Sequence, residues 1–129
     1  VLAAKLPFLD AWNQRRQALA ERYRVALAGC TGIELPVVPK DADPVWHLYV
    51  IQADRRDALQ AHLAAAGVET MIHYPIPPHR SDAYRAAPWA AAPQPIAERL
   101  ASRVLSLPMG PHLTEPQQDL VIAAVRAFG

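Results

Sequence analysis

The stretch Val45-Trp46-His47-Leu48-Tyr49-Val50-Ile51 is the densest run of β-branched and aromatic residues in the chain, and side chains of these kinds pack well on a pleated surface. It predicts a central strand. Alternation along that strand turns Trp46 and His47 to opposite faces, which makes His47 a partly buried, hydrogen-bonded histidine and Trp46 a core residue or interface anchor. Downstream, Asp54 is placed to cap a helix that carries Leu59 and Leu63 and stops at Gly67. Val68 to His73 reads as a further strand. It runs into Tyr74-Pro75-Ile76-Pro77-Pro78-His79, where three prolines in four positions oppose both helix and sheet and leave a stiff extended loop.

Upstream, Leu2, Leu6, Leu9, Trp12, Leu19, Tyr23 and Leu27 recur at three- and four-residue steps, the mark of one buried helical stripe over residues 2–28. Pro7 falls inside this pattern and predicts a kink or a late start, while Gly29 and Gly32 end it. Ile33 to Pro36 is a candidate short strand, and Lys40 to Pro44 a polar loop. Toward the other end, Ser81 to Pro93 suits one short helical turn around Tyr84 and then an alanine- and proline-rich loop. A helix begins at Pro95 with Ile96, Leu100 and Val104 on its apolar side, followed by a very short strand at Leu105-Ser106-Leu107-Pro108. Thr114 and Gln117 have the capping-box spacing for a last helix, with Leu120, Val121, Val125 and Phe128 facing inward. The sum is an α+β fold, a small antiparallel or mixed sheet with packed helices and a long N-terminal helix.

At 129 residues and 14.2 kDa, with 52% hydrophobic and 19% charged residues, the chain has the size and apolar content of one domain with a real core. Thirteen basic against twelve acidic residues give a net charge of +1, too weak a field for electrostatic capture of nucleic acid or an anionic membrane. A single cysteine, Cys30, forms no intramolecular disulfide and suggests a reducing, cytoplasmic setting. No apolar run is long enough to span a bilayer. Thirteen prolines are about twice the usual share of about 5%. The sequence opens within a helical pattern, which reads as a cut through a longer chain.

The candidate chemistry centres on His73, Tyr74 and His79. A loop stiffened by Pro75, Pro77 and Pro78 holds these groups in fixed relation at the end of a strand, so binding through them costs little entropy. The alternative is a structural turn with surface histidines. A zinc site from Cys30, His47, His73 and His79 lacks any ligand pair at the usual spacing. Nucleophilic catalysis lacks a GxSxG turn, Cys30 has no local base, and five glycines without a glycine-rich signature make no phosphate cradle. Arg15, Arg16, Arg22 and Arg24 read as the solvated face of the first helix.

Taken in order, several segments resemble one family, the DegT/StrS-type sugar aminotransferases, pyridoxal-phosphate enzymes of the aspartate aminotransferase fold. They are Lys5-Leu6-Pro7-Phe8-Leu9-Asp10-Ala11-Trp12-Asn13 with Arg15-Arg16 and Ala20 to Tyr23; His47-Leu48-Tyr49-Val50 with Arg56-Asp57; Leu63 to Gly67; His73-Tyr74-Pro75 with Pro77 and His79; Ala97-Glu98; Leu105-Ser106-Leu107-Pro108-Met109; and the helix after Leu113-Thr114. Members of that family are roughly two to three times this length. The resemblance therefore implies that residues 1–129 are the C-terminal small domain, and that a larger N-terminal domain, absent from this chain, supplies the cofactor site and the Schiff-base lysine.

Neither Lys5 nor Lys40 occupies the catalytic lysine's motif. The resemblance thus implies no catalytic residue and no pyridoxal phosphate on this chain alone, and a homodimeric parent that moves an amino group, with glutamate as the implied donor, to a keto group of a nucleotide-linked sugar. It assigns His73, Tyr74 and His79 to the substrate side of the cleft. Where the family often has glutamine two residues after the second loop histidine, this chain has Ser81, with Arg80 between. A cofactor-free regulatory or scaffolding domain is the alternative reading. A further expectation is an exposed apolar strip at Leu2, Leu6 and Leu9.

Overall fold

The computed structural model describes residues 2–128. The N-terminal helical region is two helices, α1 (Leu2–Lys5) and α2 (Leu9–Ala26), separated by a 3-10 turn at Leu6–Phe8. Pro7 sits within that turn, where its missing N–H and its ring are tolerated. Leu2, Leu6 and Leu9 are all exposed, Leu2 at 85%, so the apolar stripe divides. Its second half, Leu19, Tyr23 and Leu27, enters the core. Gly29 and Gly32 both adopt positive φ just past the helix, a conformation open to glycine at no steric cost.

Three antiparallel strands follow in the order β1 (Ile33–Glu34), β2 (Tyr49–Ala53) and β3 (Val104–Leu107), so the sheet is antiparallel rather than mixed. The central strand begins at Tyr49, four residues later than its composition predicts. Trp46 has φ +50, a left-handed conformation incompatible with a pleated strand, and residues 45–48 turn instead of extending. His47 is consequently exposed and not the half-buried strand histidine expected, while Trp46 does pack against the core.

Helix α3 (Arg56–Ala65) starts after Arg55, and Asp54 makes no cap; its carboxylate accepts from Arg103 at 2.6 Å instead. Gly67, at φ +77, ends the helix region as expected. The strand predicted over 68–73 reduces to one bridge between Met71 and Ser106, and Pro75, with no N–H to donate, keeps the ladder from running on past it. The proline loop is also not extended throughout. Pro78–Arg80 is a 3-10 turn with Pro78 in its first turn, where its lack of an N–H is no loss, and Asp82–Tyr84 forms a second. Helix α4 (Pro95–Arg103) buries Ala101 and leaves Ile96 exposed, and Val104 already belongs to β3.

Helix α5 (Glu115–Ala127) carries the predicted capping box between Thr114 and Gln117. It buries Val121, Ile122, Ala124 and Val125, with Leu120 half exposed at its edge. The core gathers Tyr23 and Leu27 of the first helical region, Tyr49 and Ile51 of β2, Leu59 and Leu63 of α3, Leu105 and Leu107 of β3, and the inner face of α5. The arginines of α2 do not form a merely solvated face. Arg15 donates to the Leu113 carbonyl, Arg16 to those of Trp46 and His47, and Arg22 reaches Gln118 and Asp119 of α5, so three of them fasten loops and helices to α2.

Candidate functional site

Leu105 and Leu107 send their side chains into the helical core, and alternation turns Ser106 to the other face of the sheet. Along the free edge of β3 the segment at Met71 pairs with it. The Ser106 N–H donates to the Met71 carbonyl at 2.8 Å, and the Met71 N–H to the Ser106 carbonyl at 3.3 Å. Two residues on, His73 meets Ser106, with Nδ1 and Oγ 2.9 Å apart. The His73 ring is half-buried, and the Tyr74 ring stands edge-on to it at 5.9 Å. Tyr74 itself is 76% exposed. Leu48, Thr70, Met71, His73, Ser106 and Pro108 line a shallow cleft of about 380 Å³ there.

His79 is different. It is 7% exposed, and its Nε2 lies 2.9 Å from Glu98 Oε1 on α4. Arg80 donates to the same oxygen at 2.8 Å. The hydrogen bond from His79, and then that from Arg80, hold the Glu98 carboxyl down to about 2, well below its ordinary 4.5. This cluster pins the far end of the proline loop to α4. The three predicted residues therefore divide: His73 and Tyr74 share one accessible end of the sheet, and His79 faces inward and anchors the loop that carries them. Arg80 is engaged by Glu98, and Ser81 makes no side-chain hydrogen bond among the described residues.

Sequence reasoning gave no role to Ser106 or Glu98. Ser106 had a signal, a small polar residue between two leucines in a strand. Glu98 had none, since nothing local links it to a histidine nineteen positions away. A cavity of about 620 Å³ lies between α2 and the loop over 35–48, with Trp46, Glu21 and Asp43 on its walls. None of His73, Tyr74 or His79 lines it. Tyr49 also borders it, and its hydroxyl is enclosed without a hydrogen-bond partner among the described residues; burial raises the Tyr49 phenol to about 12.

The arrangement of three antiparallel strands under packed helices, with a histidine-tyrosine pair at a proline-braced edge, defines an α+β domain. The crystal structure of DesV from Streptomyces venezuelae in complex with a ketimine intermediate superposes with a TM-score of 0.95 at 51% identity, covering 98% of this chain and 34% of that one. The profile of the DegT/DnrJ/EryC1/StrS aminotransferase family matches residues 1–126, and the chain belongs to this family. It is 52% identical over 128 residues to a dTDP-3-amino-3,4,6-trideoxy-alpha-D-glucose transaminase from Streptomyces venezuelae, covering 99% of this chain and 34% of that protein. The structure of NtdA from Bacillus subtilis with bound cofactor PMP matches at a TM-score of 0.76 and 32% identity, over 92% of this chain and 28% of that one. The chain thus spans about a third of the length of the relatives it matches.

A pyridoxal cofactor needs an amine for its aldehyde and donors for its phosphate. The cleft at His73 is lined by no lysine or arginine, and Lys5 and Lys40 lie exposed on α1 and in the loop over 35–48. The cleft at His73 supplies neither the amine nor the cationic donors that such a cofactor needs.

Proposed function

We propose that residues 1–129 form the C-terminal small domain of a pyridoxal-phosphate-dependent aminotransferase that moves an amino group from an amino acid, glutamate by preference, to a keto group of a nucleotide-linked sugar. The observation that carries this reading is the 52% identity over 128 residues to a dTDP-amino-sugar transaminase. The accessible pair His73 and Tyr74 supports it from the geometry. In this reading the preceding domain supplies the cofactor site and the lysine, the parent works as a homodimer in the cytoplasm, and this chain alone is inactive.

This domain contributes a wall. The His73 ring and the Tyr74 hydroxyl meet the sugar nucleotide through hydrogen bonds, and the His79–Glu98–Arg80 cluster keeps the loop rigid so that little entropy is lost when substrate binds. The test is to isolate the natural chain that carries residues 1–129, record the visible absorbance of bound pyridoxal phosphate, and assay amino transfer from glutamate to keto-sugar nucleotides. The proposal predicts both signals. Loss of both in a folded protein refutes it.

A further inference from the structure

Which nitrogen of a neutral histidine carries the proton is decided by the partner of the other nitrogen. For His73 that partner is Ser106 Oγ, 2.9 Å from Nδ1. Ser106 is 5% exposed, and its backbone is held on both sides, by β2 through its pairing with Val50 and by the bridge to Met71. Its hydroxyl has little freedom to seek another partner, and among the described residues His73 is the one group it bonds.

Two arrangements satisfy the distance. If Nδ1–H donated to Oγ, the hydroxyl proton of a nearly buried serine would be left without an acceptor, at the desolvation cost that attends such groups. If the hydroxyl donates to Nδ1, no buried donor is left over. The second arrangement places the ring proton on Nε2, across the ring from Ser106, and Nε2 makes no hydrogen bond among the described residues. Protonating the ring also leaves a hydrogen on Nε2, with Oγ then rotating to accept from Nδ1.

We propose that Ser106 is a positioning residue whose hydroxyl fixes His73 as a hydrogen-bond donor through Nε2–H. Resting on the proposed function, the group that receives this bond is an acceptor oxygen of the nucleotide-linked sugar, on its phosphates or on the sugar itself. Ser106 acts through His73, by setting which face of its chemistry the ring presents.

The test uses the natural chain that carries this domain, with 15N-labelled histidine, and long-range 15N–1H correlations that report which ring nitrogen bears the proton. In its neutral form, His73 carries its proton on Nε2. Ser106→Ala converts it to a mixture of tautomers, and Ser106→Thr, which keeps the hydroxyl, retains Nε2–H. In kinetics, Ser106→Ala raises KM for the sugar nucleotide about two- to tenfold, the effect of one neutral hydrogen bond, with kcat changed less, and the threonine variant recovers most of the loss. A proton on Nδ1 in the unmodified protein overturns the inference, and so does a tautomer that ignores Ser106→Ala. Should the alanine variant fail to fold, the tautomer of the unmodified protein decides. A Ser106-dependent Nε2–H in a protein whose KM for the sugar is indifferent to His73→Ala upholds this inference and refutes the substrate contact of the proposed function.

Discussion

Two tyrosines with ring centroids 5.0 Å apart provide a matched pair of perturbations. Tyr23 and Tyr49 are both buried, at 0% and 1% exposure, yet the Tyr23 hydroxyl donates to the Pro108 carbonyl at 2.9 Å and the Tyr49 hydroxyl has no partner among the described residues. Tyr23→Phe removes a formed bond and leaves the half-buried Pro108 carbonyl short of a donor, at a cost of about 1–2 kcal/mol. Tyr49→Phe removes an oxygen whose desolvation goes uncompensated, a relief of roughly 1–3 kcal/mol, reduced by the dispersion contacts that oxygen makes. The net for Tyr49→Phe is a gain of about 0–1 kcal/mol.

Urea unfolding followed by circular dichroism, with m unchanged, reads both values, and for a domain of this size about 1 kcal/mol moves Tm by roughly 3–5 °C. The opposite signs are the prediction. A Tyr49→Phe variant that loses as much stability as Tyr23→Phe refutes the reasoning, because the Tyr49 hydroxyl would then have to be making a bond. Since the rings touch, the double variant is not expected to be additive. The comparison also bears on the site, because the Tyr23–Pro108 bond fastens α2 to the residue just past β3, two positions from Ser106.

The buried phenols also set the alkaline limit. Burial raises the Tyr49 phenol to about 12 in the folded chain against an ordinary 10.0, so above pH 10 the unfolded chain releases this proton first and stability falls as pH rises from 10 toward 12. Tyr49→Phe flattens that part of the profile in denaturant midpoints measured from pH 9 upward. Glu98 behaves oppositely. Its carboxyl is held at about 2 against 4.5, so its stabilisation is full above pH 4.5 and disappears as pH falls toward 2; Glu98→Gln is less stable than the parent at pH 7, and midpoints measured between pH 6 and 2 show that gap closing. Thr114→Ala removes the capping box of α5 and costs about 1 kcal/mol, read as a lower urea midpoint with m unchanged.

The helices were legible where a cap and a periodic stripe coincided. The Thr114–Gln117 box and the run through Val121 and Val125 located α5 correctly, because a capping bond is local and its residues adjacent in sequence. Strand limits were less legible. Residues 45–48 have strong β composition, and the left-handed backbone at Trp46 takes them out of the strand, with the indole packed against the core. Asp54 has the chemistry of a cap but spends its carboxylate on Arg103, itself shared with Glu34. In the site, His73 and Tyr74 stood out through their proline frame. The inward turn of His79 and the roles of Ser106 and Glu98 depended on long-range contacts that no spacing encodes.

The proposed assignment of this domain to the sugar side of an aminotransferase cleft is tested most directly by steady-state kinetics on the natural chain carrying His73→Ala or Tyr74→Ala, with KM measured separately for the keto-sugar nucleotide and for glutamate. The account predicts that KM for the sugar nucleotide rises about tenfold in each variant, the loss of one well-placed hydrogen bond, while KM for glutamate stays within about twofold. Unchanged KM for the sugar nucleotide in both folded variants would contradict it.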